Sequence, residues 1–201
     1  MALLVGLGVT IGGFPVTLGV LDLLRQAGAL RPGHTALQGG AHTDGWIDKG
    51  AVMRDPGTLD EVALLQAGQL RRAWPDATLL VGLPACGAVL ASFVGRHLRW
   101  PVAYLLDDEE VTWHRMHVPA APQQVVIVDD VISTGRGVRR AAAFLRTQGH
   151  VVLGASAWVC RAELAELDVV AMTPPPYRTV GAPECPDCAQ GQAVVHVGVR
   201  E

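Results

Sequence analysis

The sequence predicts an α/β domain: a parallel central sheet flanked by helices, with a small hood built from the N- and C-terminal segments. Three observations predict it. Apolar runs of strand length alternate with amphipathic stretches of helical length between residues 58 and 159, the pattern of parallel strands joined by helical crossovers. Residues 125–128 are an unbroken Val-Val-Ile-Val run, as expected of a strand buried on both faces. The tail from Pro174 onward differs in kind, with three consecutive prolines, a Cys-x-x-Cys and one short strand over 193–197. The 201 residues are read as one domain, 1–201, with the hood drawn from about 18–50 and 174–201.

Each element has its own signal. Residues 1–21 carry no charge, but Gly6, Gly8, Gly12, Gly13, Pro15 and Gly19 interrupt them and no basic n-region precedes them. They predict a loose apolar strand or extension rather than a membrane span or signal peptide. A helix is expected from about Thr17 to Gly28. Residues 31–49 are rich in Gly, His and Thr and read as loop with short strands. Residues 58–74 predict an amphipathic helix with Thr58 as N-cap and Glu61 completing a capping box, stopped by Pro75. A strand over 78–81, a turn over 82–87, a helix over 88–98 and a strand over 102–106 follow. After the 125–128 strand come a helix over 137–147, closed by Gly149, and a strand over 151–159.

Composition excludes several classes. Half the residues are hydrophobic and the formal net charge is −3; this chain is neither disordered nor a general nucleic-acid or anionic-membrane binder. Trp46, Trp74, Trp100, Trp113 and Trp158 form no stripe for stacking on bases and are expected to pack in the core and at interfaces. Four cysteines are too few for a disulfide scaffold, so a reducing, cytoplasmic setting is expected. Cys185-x-x-Cys188 is half of a four-ligand zinc site, but no second cysteine pair exists. His150 or His196 would complete it only by an accident of folding, so the expectation is a structural tail motif and no protein-held metal. His34 and His42 are expected either to touch a ligand or to cap a turn. Lys49 is the sole lysine, with structural and surface roles both open.

The most informative stretch is Asp129-Asp130-Val131-Ile132-Ser133-Thr134-Gly135-Arg136-Gly137, directly after the apolar run. Carboxylates at a strand end accept hydrogen bonds from sugar hydroxyls or hold a metal through water. The glycine- and hydroxyl-rich turn aims backbone N–H groups and a helix N-terminus at an anion. Together they make a cradle for a sugar phosphate, with the diol on the acids and the 5-phosphate on the turn. It is neither a Walker A loop nor a dinucleotide fingerprint.

This stretch resembles the signature of the type I phosphoribosyltransferases, which bind phosphoribosyl pyrophosphate (PRPP). The resemblance implies that Asp129 and Asp130 hold the ribose hydroxyls, and that Ser133, Thr134, Gly135, Arg136 and Gly137 wrap the 5-phosphate. The run from Gly33-His34 through Gln38-Gly39-Gly40-Ala41-His42 to Asp44 is similar to the N-terminal motif of the orotate branch, as is Pro183-Glu184-Cys185-Pro186-Asp187-Cys188 to the tail of some prokaryotic members. The branch then implies that Ala85, Cys86 and Gly87 hold pyrophosphate, that Arg161 faces the base, and that Gln38, Gly39 and Ser133 line the substrate side. It implies transfer of ribose 5-phosphate to orotate in pyrimidine nucleotide synthesis, Mg²⁺ bound through PRPP, and a homodimer, with no nucleic-acid or membrane partner.

The sequence departs from the family in its mobile loop. Asp107-Asp108-Glu109-Glu110 stand where cations are usual, leaving His114, Arg115 and His117 as the local positive charge. Arg115 and His117 are the candidate catalytic cations. Acids beside a polyanion are unfavourable, which keeps open a PRPP- or nucleotide-binding regulatory paralogue without transferase activity; Gln38, where some members have lysine, keeps open a transferase for another base.

Overall fold

The computed structural model describes residues 9–11, 14–16, 18–37 and 39–196. A two-stranded antiparallel ribbon, β1 (Val9–Ile11) and β2 (Phe14–Val16), precedes α1 (Val20–Gln26). Then come β3 (Leu30–Ala36), β4 (Ala41–Ile47), α2 (Lys49–Met53), α3 (Pro56–Ala73), β5 (Leu79–Gly82) and α4 (Cys86–Leu98). They are followed by β6 (Val102–Asp107), β7 (Val111–Trp113), β8 (Gln124–Val128), β9 (Val131–Ile132), α5 (Arg136–Thr147) and β10 (Val151–Cys160). Last are β11 (Val169–Thr173), β12 (Thr179–Gly181), a 3-10 turn over Ala182–Glu184, α6 (Pro186–Ala189) and β13 (Val195–His196).

The central sheet runs β11-β10-β8-β5-β6-β7, parallel except for β7. Its middle strand shows why an unbroken apolar run is needed. Val126 and Val128 point into the core under α3 and α4, whereas Val125 and Ile127 point into the core under α5, and all of them are fully buried. Burying such side chains is worth about 1.5–3 kcal/mol each, as an upper estimate. On α5, Val138, Ala141, Ala142 and Leu145 fall on one buried stripe, the i, i+3, i+4, i+7 spacing of an amphipathic helix.

From β5 the chain moves outward to β6 on one side and later returns to β8 on the other. The strand order therefore reverses between β5 and β8. A ligand crevice opens at such a switch point, beyond the carboxyl ends of the strands. The 83–85 turn and the segment after Val128 both lie there.

The hood is a second sheet of order β12-β4-β3-β13. Residues 31–49, read as loop with short strands, instead hold most of the β3–β4 hairpin. Gly33 at φ 135° marks the irregularity that hides the strand pattern in the sequence. The tail was expected to carry one strand; β12 pairs antiparallel with β4 and β13 parallel with β3. Val197, the last residue of the expected strand, lies outside the described residues.

Two further expectations are corrected. The N-cap of α3 is Asp55, whose Oδ1 accepts from the Gly57 amide at 3.1 Å, and Thr58 Oγ1 donates to Asp55 Oδ2. Pro56 carries the fixed φ suited to the first helical turn, so the helix starts earlier and the Thr58–Glu61 box is not used. Helix α4 also begins earlier, at Cys86, which shortens the preceding turn. No helix among the described residues is long and apolar enough to cross a membrane.

Candidate active site

Strand β8 delivers Asp129 and Asp130 to the crevice. The Asp129 amide donates to Ser156 O at 3.0 Å and the Trp158 amide to Asp130 O at 2.9 Å, so the β10 neighbour fixes the backbone of both acids. The two carboxylates have different settings. Asp129 is partly exposed, whereas Asp130 is fully buried. Asp130 Oδ1 accepts from the Val131 amide at 2.7 Å, and Lys49 Nζ lies 3.1 Å from both of its oxygens. Burial, then the adjoining charge of Asp130, pushes the Asp129 carboxyl up to about 8. Burial pulls the Lys49 ammonium down, but the charge and hydrogen bond of Asp130 outweigh it and raise its pKa. Sequence reasoning left this contact unassigned, and the only signal was that Lys49 is the sole lysine.

The turn after the acids ends at Gly135, which caps α5 at φ 74°, and Thr134 Oγ1 accepts from the Arg136 amide at 3.4 Å. No acidic residue sits in the first turn of α5, so no carboxylate competes with an anion for its dipole and remaining N–H groups. Ser133 and Thr134 are exposed and Arg136 opens the helix. Arg139 fastens the turn from behind, donating to Thr134 O at 3.0 Å and to Glu163 O at 2.7 Å.

Across the crevice, Ala85, Cys86 and Gly87 form the N-terminus of α4, with the Leu83 amide tied to Val128 O at 3.1 Å. A Cβ on Gly87 would lie 2.6 Å from Val128 O, so only glycine lets α4 approach the end of β8 this closely. Burial, with the charge of Asp130, pushes the Cys86 thiol up.

A cavity of about 740 Å³, within the range of small-ligand sites, lies between the turn after the acids and the hood; Asp129, Asp130 and the 85–87 segment are not among its lining residues. Ser133, Thr134, Lys49 and Arg161 line it, together with Gly39 and Trp46 of the hood and Tyr177 of the tail. Burial lowers the pKa of the Arg161 guanidinium. It donates to Thr179 Oγ1 at 3.3 Å and makes no ion pair among the described residues. Gln38 lies outside the described residues.

The expected loop cations are not brought here. Residues 107–110 close a tight β6–β7 hairpin. Arg140 on α5 holds it, pairing with Asp107 at 2.6 Å and donating to Glu109 O at 3.0 Å. Trp113 packs edge-on against Phe144, and the chain returns along the sheet edge. His117 therefore lies against Tyr104 with its Nδ1 3.4 Å from Val102 O, at the opposite end of β6, about 17 Å from the crevice by strand length. Arg115 is exposed just before it. His34 and His42 also turn away from the cavity, toward Cys185 and Cys188.

No family model matches the chain. It is 34% identical over 193 residues to an orotate phosphoribosyltransferase of Acidithiobacillus ferrooxidans, covering 90% of this chain and 96% of that one. It is 28% identical over 194 residues to an orotate phosphoribosyltransferase of Heliobacterium modesticaldum, at 90% and 97% coverage. The crystal structure of the Aeropyrum pernix orotate phosphoribosyltransferase matches with a TM-score of 0.65 at 24% identity, over 77% of this chain and 93% of that one. An adenine phosphoribosyltransferase matches with a TM-score of 0.55 at 19% identity, over 64% and 88%. The fold is that of the type I phosphoribosyltransferases, and by its identity and coverage against the Acidithiobacillus protein the chain belongs to the orotate phosphoribosyltransferase family.

Proposed function

We propose that the protein transfers ribose 5-phosphate from PRPP to a ring nitrogen of orotate, giving orotidine 5′-phosphate and pyrophosphate. The observation that carries this reading is a single cavity lined by Ser133 and Thr134, the start of the anion-ready turn, and by the half-buried Arg161. Such a lining suits a ligand with a phosphate at one end and an anionic group at the other.

In this reading the bond from the ribose anomeric carbon to the pyrophosphate oxygen breaks, and pyrophosphate leaves with the electron pair. The base nitrogen then forms the new bond to that carbon, and its N–H proton is released to the departing pyrophosphate or to solvent. Asp129 accepts from the ribose hydroxyls, and Asp130 acts from beneath, holding Lys49 and the Val131 amide. The turn and the α5 N-terminus hold the 5-phosphate, while the N-terminus of α4 faces the pyrophosphate. Arg161 pairs with the orotate carboxylate. Mg²⁺ carried in by PRPP would neutralise the leaving group, and the partly exposed Asp129 carboxylate beside the crevice suits a nearby dication. Catalysis rests on positioning and electrostatics. A homodimer and a cytoplasmic setting complete the proposal.

The test is loss of orotate absorbance when purified protein is mixed with PRPP, Mg²⁺ and orotate. Turnover is expected, and Arg161→Met should raise the KM for orotate by roughly 10–100-fold, the value of one charge-assisted contact. If orotate, uracil and purines all fail while PRPP still raises the Tm, the protein binds PRPP without transferring it, and the proposal falls.

A further inference from the structure

We propose that the hood carries a structural zinc site formed by His34, His42, Cys185 and Cys188. The ligand atoms of these side chains all lie within 4.8 Å of one another. The site is built by elements far apart in sequence. His42 pairs across the hairpin with Ala36, and His34 stands two residues before Ala36. Alternation along a strand therefore puts both histidines on one face as diagonal neighbours. Cys185 is the N-cap of α6 and Cys188 lies within its single turn, so the two thiols project to the same side.

The distances suit a tetrahedral ion. Zinc bonds of about 2.05 Å to nitrogen and 2.3 Å to sulfur separate two nitrogens by about 3.3 Å and a nitrogen from a sulfur by about 3.6 Å. His34 Nε2 lies 3.0 Å from His42 Nδ1. The sulfur contacts are 3.4 Å from Cys185 and 3.5 Å from Cys188 to His34 Nε2, and 3.2 Å from Cys188 to His42 Nδ1.

Hydrogen bonding does not account for the cluster. His34 Nδ1 lies 3.1 Å from Gln192 O. A carbonyl only accepts, so Nδ1 carries the proton and Nε2 of the neutral ring presents one lone pair. That lone pair faces His42, Cys185 and Cys188 together, and one lone pair serves one proton well. A cation at the centre serves all of them. The Gln192 carbonyl then acts as the outer partner that orients a metal-bound histidine. Two nitrogens and two sulfurs in a closed tetrahedral set select zinc among the common metals. On binding, the two thiols become thiolates, two protons go to solvent, and no electron moves.

The ion would bond the tail to the β3–β4 hairpin, whose connecting loop contributes Gly39 to the cavity. It is a clamp on the hood, and none of its four ligands lines the cavity. Its test does not depend on transferase activity. Full-length protein purified without chelator is expected to hold about one zinc per chain by elemental analysis. Cobalt exchanged into the metal-free protein should give the visible absorption of a tetrahedral ion and a thiolate-to-cobalt charge-transfer band. Zinc should raise the Tm and slow tryptic cleavage after Arg178. Cys188→Ser and His42→Asn, which alter the more exposed ligands, should weaken zinc retention and shift the cobalt spectrum. Protein without metal whose Tm and cleavage ignore added zinc overturns the proposal, as does a cobalt spectrum of octahedral oxygen ligation.

Discussion

Lys49 shows how much one side chain decides at the residue scale. It stands at the start of α2 and neutralises Asp130, which has no exposure of its own. Lys49→Met keeps the stem and removes the charge, leaving a buried carboxylate with only the Val131 amide. Because the Lys49 side chain is 49% exposed, solvent screens the pair, and the expected loss of stability is about 1 kcal/mol. Denaturant unfolding checks it. Adding Asp130→Asn should recover part of the loss, since the orphaned charge is then gone; equal stability of the parent and Lys49→Met would show that the pair contributes nothing. Lys49 itself was visible in the sequence, but its partner was not. Lys49 and Asp130 are 81 positions apart, and no local pattern joins them.

At the scale of elements, function depends on how closely two ends approach. Helix α4 reaches the end of β8 because Gly87 has no Cβ to meet Val128 O. Gly87→Ala should push α4 away, costing about 1–3 kcal/mol by overpacking. It should also weaken PRPP binding, because the pyrophosphate face moves relative to Asp129. A calorimetric titration with PRPP checks this, and unchanged affinity would detach the helix from the site. The same scale explains the misplaced loop cations. Charge counting along residues 107–117 gave candidates, but the hairpin, its clasp by Arg140 and the packing of Trp113 on α5 turned Arg115 and His117 to the opposite end of β6.

At the scale of the whole molecule, the two buried cores are tied together through the sheet, and stability follows pH through groups sealed between elements. His150 is 7% exposed, its Nδ1 accepts from the Gln123 amide at 3.0 Å, and Trp113 packs edge-on against it. Burial lowers its pKa from the usual 6.5. A histidine whose folded pKa is depressed takes up its proton more readily when unfolded. Its contribution is therefore full above about pH 6.5 and is lost as the pH falls below it. His150→Asn keeps an acceptor for Gln123 and cannot titrate. The parent should lose more Tm than this variant between pH 7.5 and 5.5, on the order of degrees per kcal/mol. Parallel curves would remove His150 as a cause.

The sequence by itself determined the parallel sheet, the acid pair at the end of β8 and the anion-ready turn, because each is written in consecutive residues. A buried strand needs an unbroken apolar run, and a phosphate cradle needs a strand, a turn and a helix in immediate succession. Only the tertiary structure decided what meets across the chain. It set Lys49 against Asp130 and opened the cavity under the hood. It carried Arg115 and His117 away from the crevice and gathered His34 and His42 with a Cys-x-x-Cys 143 residues beyond His42. Those outcomes depend on strand order and on the bend at Gly33, and a contact between distant segments costs nothing in local pattern, so it leaves no local mark.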